Sequence, residues 1–108
     1  GDEVRKAAWE ATMTALAEAL SELPNTQVTA VINPGRPVPM VRLEVDEQAA
    51  KITGVDLVRQ LMAGDPSVHV NTSGVYEGTL VFGPMCLKEG DVEAISERLH
   101  ELLGGSGI

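Results

Sequence analysis

The chain has 108 residues, the length of one domain, and its 44% apolar content argues against disorder. Its formal charge is −8, with 16 acidic residues against 8 scattered basic ones, which argues against nucleic acid or an anionic membrane as partner. Cys86 is the only cysteine and leaves no internal disulfide, and no apolar run reaches the ~18 residues of a membrane span.

Gly1 and Asp2 lead directly into a helical pattern, so no signal peptide is expected and a cytoplasmic protein is. The first helix is predicted from about Glu3 to Leu23. Trp9, Met13, Leu16, Leu20 and Leu23 recur on one face, and Pro24 and Asn25 end the pattern. Val4, Ala8, Ala11 and Ala15 form a second apolar stripe beside the first. A chain of this size has difficulty covering both stripes.

Two strands are predicted next, "QVTAVI" and "PMVRLEVD". The second alternates, with Val41, Leu43 and Val45 on one face and Arg42, Glu44 and Asp46 on the other. The Pro-rich "NPGRPVP" between them is a turn, so the pair could form a hairpin. A second helix starts at "TGVDLVRQLM", with Thr53 and Asp56 resembling a capping box and Leu57, Val58, Leu61 and Met62 as its buried stripe. Gly64 and Pro66 close it.

Two more strands follow, "SVHVN" and "VYEGTLVF", joined through "NTSG". Val75, Leu80, Val81 and Phe82 cannot all point inward from one strand. The last helix starts near Gly90 or Asp91, buries Val92, Ile95, Leu99 and Leu102, and is stopped by Gly104 and Gly105. The order is αββαββα. The expected fold class is α+β, a two-layer domain over residues 1–103 with about four strands, antiparallel or mixed, and helices mainly on one face. Residues 104–108 read as a flexible Gly/Ser tail.

The chemistry-bearing residues are sparse. Asp46 and Glu47 sit at a strand end, and Glu89, Asp91 and Glu93 flank a helix start, where a solvated surface accounts for them. His69, Cys86 and His100 have no metal-ligand spacing. Cys86 reads as a structural thiol. "GVYEG" and "GGSG" match neither a P-loop nor a dinucleotide fingerprint, and Lys6, Lys51 and Lys88 read as surface lysines.

The stretch "LMAGDPSVHVNTSGVYEGTLVFGPMCLKEGDVEAISERLHELL" carries a Leu61 to Pro66 junction, a strand ending at Pro84, and then Leu87, Gly90 and Asp91 before the closing helix. Upstream, "AAWEATMTALAEALSELPNTQVTAVINPGRPVPMVRLEVDE" supplies a Trp-bearing helix, a short strand, a Pro-rich turn and a "VP…RL" strand. This ordered set resembles the C-terminal small domain of fold type I pyridoxal-phosphate enzymes. The narrower resemblance is to the selenocysteine-synthase-like branch, which includes D-glucosaminate-6-phosphate ammonia-lyase-like proteins.

The resemblance implies an excised small domain of a pyridoxal-phosphate-dependent transferase or lyase, closing over the substrate in the whole enzyme and inactive alone. No cofactor is expected on this chain; pyridoxal phosphate is expected in the parent, held by a large domain that is the implied partner. The parent is expected to be a homo-oligomer. Substrate contacts are expected from Arg36, His69 and Asn71, although relatives often carry Arg near the place of Asn71. A stand-alone small-molecule-binding or regulatory domain, or an assembly module, remain as the alternative readings.

Overall fold

The structure, a computed structural model, describes residues 2–32, 38–64, 70–84, 87 and 90–104. Helix α1 spans Asp2–Leu20 and is rich in Ala. It stops before the predicted Leu23 because Pro24 lacks the N–H that would reach Leu20 and forces Leu23 out of helical geometry. Leu23 N donates instead to the Leu20 carbonyl at 3.2 Å, and Asn25 turns the chain with a positive φ of 59°. Asn25 O then accepts from Asp46 N at 2.9 Å, tying the turn to the end of the hairpin.

Strand β1 (Thr26–Val31) pairs antiparallel with β2 (Met40–Val45), in the register Thr26↔Val45 to Val31↔Met40. The alternation of β2 is as expected: Val41, Leu43 and Val45 are buried, and Arg42 and Glu44 are exposed. Strand β3 (Thr79–Phe82) pairs antiparallel with the other side of β2, setting Phe82 opposite Val41 and Leu80 opposite Leu43. The sheet order is β1-β2-β3.

The described residues thus form a three-stranded antiparallel sheet where about four strands were expected. The fourth strand is expected on "SVHVN", most of which lies outside the described residues. Its last residue, Asn71, makes an isolated antiparallel bridge to Val81 on the free side of β3.

Helix α2 (Glu47–Ala50) is a single turn that the periodicity does not announce. Asp46 caps it, accepting from Ala49 N at 3.2 Å, so this carboxylate has a local structural task. Helix α3 (Gly54–Ala63) begins as read from the sequence: Thr53 Oγ1 accepts from Asp56 N at 3.1 Å. Thr53→Ala should therefore cost about 1 kcal/mol and lower Tm by about 4–8 °C, with Thr53→Ser close to wild type in the same thermal melt. Met62 leaves the predicted stripe; it is exposed, while Leu57, Val58 and Leu61 are buried.

The predicted strand "VYEGTLVF" is only half a strand. Val75–Glu77 forms a 3₁₀ turn, and β3 starts after Gly78. Alternation therefore does not apply to Val75, which is buried together with Leu80 and Phe82, while Val81 is half-buried. Helix α4 (Asp91–Gly104) closes the fold, with Ile95, Leu99 and Leu103 buried and Val92 and Leu102 half-buried.

Met13, Leu16 and Leu20 of α1, Leu57 and Leu61 of α3, Ile95 and Leu99 of α4, and the inward residues of β2 and β3 form one apolar cluster. The architecture is α+β, with three helices contributing to a core built on one face of the sheet. Among the described residues, no helix is long and apolar enough to cross a membrane.

Candidate functional site

Of the three expected substrate contacts, Arg36 and His69 lie outside the described residues. Asn71 is exposed at the margin of the sheet. Its backbone N donates to Val81 O at 3.0 Å, and its Oδ1 accepts from Ser73 N at 2.9 Å. That side-chain bond is an Asx-turn, the local closure that Asn makes readily. The Asn71 carbonyl oxygen thus serves the turn.

The turn that Asn71 starts is the wall of a cleft. Val75 N donates to Thr72 O at 3.1 Å and Gly78 N to Val75 O at 3.1 Å, which winds residues 72–78 tightly. Facing this winding is the start of α3, where Gly54 sits close to the Val75 carbonyl. The cleft encloses about 260 Å³ and is lined by Val55, Val58, Arg59, Thr72, Val75 and Tyr76. Its floor is valine; its polar groups are one guanidinium, one hydroxyl and one phenol.

Tyr76 is 85% exposed, so the phenol is presented to whatever approaches the cleft. Sequence reading missed Arg59 and Tyr76. Tyr76 falls within the expected strand "VYEGTLVF" and Arg59 within the expected helix "TGVDLVRQLM". No local signal marks them, because composition does not report exposure and only the fold brings α3 beside the turn.

The cleft offers a guanidinium and two hydroxyls as hydrogen-bonding groups. A cation and two hydroxyls over an apolar floor suit an anionic group carried on a small apolar body. Among the described residues, no three His, Cys, Asp or Glu side chains gather as a metal site. His100 is held by its own helix, its Nδ1 lying 2.7 Å from Ser96 O. Cys86, like His69, lies outside the described residues.

The lysines of the described residues do not make a cofactor site. Lys51 is exposed, takes the left-handed conformation that ends α2, and borders an open groove with Asp56 and Gln60. Lys6 lies in the first turns of α1 and lines neither this groove nor the Tyr76 cleft. A covalently held pyridoxal ring needs a lysine inside an enclosed pocket, so these residues do not fit one.

A larger groove of about 520 Å³ runs along α1, between Ala8, Trp9 and Ala11 on one side and Pro84, Leu87 and Val92 on the other. Trp9 is half-buried at its edge and does not join the core, contrary to its place in the predicted stripe.

No protein-family profile matches the chain. The structure of D-glucosaminate-6-phosphate ammonia-lyase superposes with a TM-score of 0.76 at 21% identity, over 92% of this chain and 27% of that one. The fold is that of one part of a larger enzyme. The 5'-C-glycyluridine monooxygenase-decarboxylase of a Streptomyces species is 33% identical over 103 residues, covering 94% of this chain and 26% of that protein. The chain spans about a quarter of the length of each of these two proteins.

Proposed function

We propose that this chain is the small, C-terminal domain of a fold type I pyridoxal-phosphate-dependent transferase or lyase of the selenocysteine-synthase-like branch. It closes over the substrate in a cytoplasmic, homo-oligomeric enzyme and is inactive alone. The observation that carries this reading is the fold match to the ammonia-lyase over 92% of the chain and 27% of that enzyme. The sequence similarity to a second, chemically different enzyme over the same small fraction agrees with a domain shared between reactions.

In this reading the remainder of the larger chain holds the cofactor and supplies the bond-breaking groups. The domain supplies the cleft of Arg59, Thr72 and Tyr76, whose cation and hydroxyls orient an anionic part of the substrate. Asn71 fixes the turn that places Thr72 and Tyr76.

The test compares this chain with the protein expressed from its whole reading frame, each titrated with pyridoxal phosphate and followed by visible absorbance. The whole protein should take up the cofactor stoichiometrically, and the 108-residue chain should show no saturable uptake. A single-lysine adduct of micromolar affinity on the short chain, or a whole protein that takes none, would overturn the reading.

A further inference from the structure

Helix α1 extends past the body it lies on. From Glu3 to Thr12 no residue is buried; Met13, Leu16 and Leu20 are. Val4 is 72% exposed, and Ala8, Ala11 and Ala15, which follow it at helical spacing, are exposed as well. These four form an apolar face on the flank of the core stripe. Ala8, Ala11 and Ala15 also line the groove of Trp9, Pro84, Leu87 and Val92, so small side chains, a half-buried indole and a mainly apolar trough with Thr12 and Glu93 on its wall form one surface.

We propose that this surface is the seat of an apolar helix from the remaining three-quarters of the larger enzyme. This rests on the reading above, that the chain is one domain of such an enzyme. The occupant follows from three observations. The chain spans only 26% and 27% of the two similar proteins, so most of a larger chain remains to provide cover. The alanines let a second helix approach to the short end of the ~8–10 Å interaxial range, and their shallow ridge accepts large aliphatic side chains. A second copy of this chain would instead bring a like charge of −8 to the contact.

The measurement is amide hydrogen exchange over residues 3–12, in the 108-residue chain and in the protein expressed from its whole reading frame. Those amides should exchange at least about tenfold more slowly in the whole protein, because a covered helix opens less often. Ala11→Glu should restore fast exchange there and leave the melting of the short chain unchanged, since Ala11 is already exposed in it. Equal rates in the two wild-type proteins would overturn the proposal. So would sedimentation showing the short chain as a dimer that Ala11→Glu dissociates, which would assign the surface to a second copy. A whole protein that shields α1 and takes no pyridoxal phosphate would sink the cofactor reading alone; one that takes the cofactor and leaves α1 exposed would sink this proposal alone.

Discussion

Phe82→Ala should remove about 3–5 kcal/mol of the stability of this domain. Phe82 is 1% exposed and stands opposite Val41 on the core face of the sheet. It is the only aromatic residue in the core: Trp9 is half-buried at a groove and Tyr76 projects into solvent. Truncating a buried Phe costs about 3–5 kcal/mol, from lost transfer free energy and from the cavity left behind. A domain of this size has only about 5–15 kcal/mol in total. In urea, with a slope of about 1–3 kcal/mol per molar, the midpoint should fall by more than about 1 M at unchanged slope. Phe82→Leu, which keeps most of the volume, should lose less than about 1.5 kcal/mol. A midpoint for Phe82→Ala within about 0.3 M of wild type would mean that the core is not built around this ring.

Gly54→Ala tests the junction that shapes the Tyr76 cleft, and here two effects oppose each other. Helix propensity favours Ala over Gly by about 1 kcal/mol in a helix interior, and by less at the first turn. Against this, a Cβ at Gly54 would stand 2.6 Å from the Val75 carbonyl oxygen and 3.1 Å from the Cα of Gly78. Both neighbours are backbone, so no side chain can swing aside. Gly78 is itself fixed: its φ is +83°, and a Cβ there would stand 2.8 Å from Val45 O. Overpacking of this kind costs about 1–3 kcal/mol, so the clash wins and the variant should be destabilised by about 1–2 kcal/mol. Equilibrium denaturation reads the sign directly. A stabilised Gly54→Ala would show that the 3₁₀ turn yields to α3 and that the cleft wall is soft.

Local signals in the sequence told the fold where the physics was local. The β2 alternation, the Thr53 cap and three of the four stripe residues of α3 each depend on residues a few positions apart, whereas of the expected α4 stripe only Ile95 and Leu99 are fully buried. Trp9 shows the limit. Its period places it with Met13 and Leu16, but no residue of α1 from Glu3 to Thr12 is buried, so the first half of the helix has too little of the fold against it to close over Trp9. A hydrophobic period does not report the length of the opposing layer. The turn at Val75–Glu77 fails for a related reason. Its residues have strand-like composition, and what winds them is a close approach to Gly54, far away in the chain. The cleft residues Arg59 and Tyr76 were invisible for the same cause, since only that approach brings α3 and the turn together.

The sheet order β1-β2-β3 also bears on how the chain reaches this fold. The two strands of the hairpin are joined directly and can find each other early, because closing a short loop loses little entropy. The other side of β2 waits for β3, which arrives only after α2, α3 and the 72–78 turn have been made. Until β3 pairs, β2 keeps an unpaired edge, the kind of edge through which nascent chains stick to one another. The charge of −8 then acts before there is a fold to stabilise: mutual repulsion between half-made molecules gives β3 time to arrive.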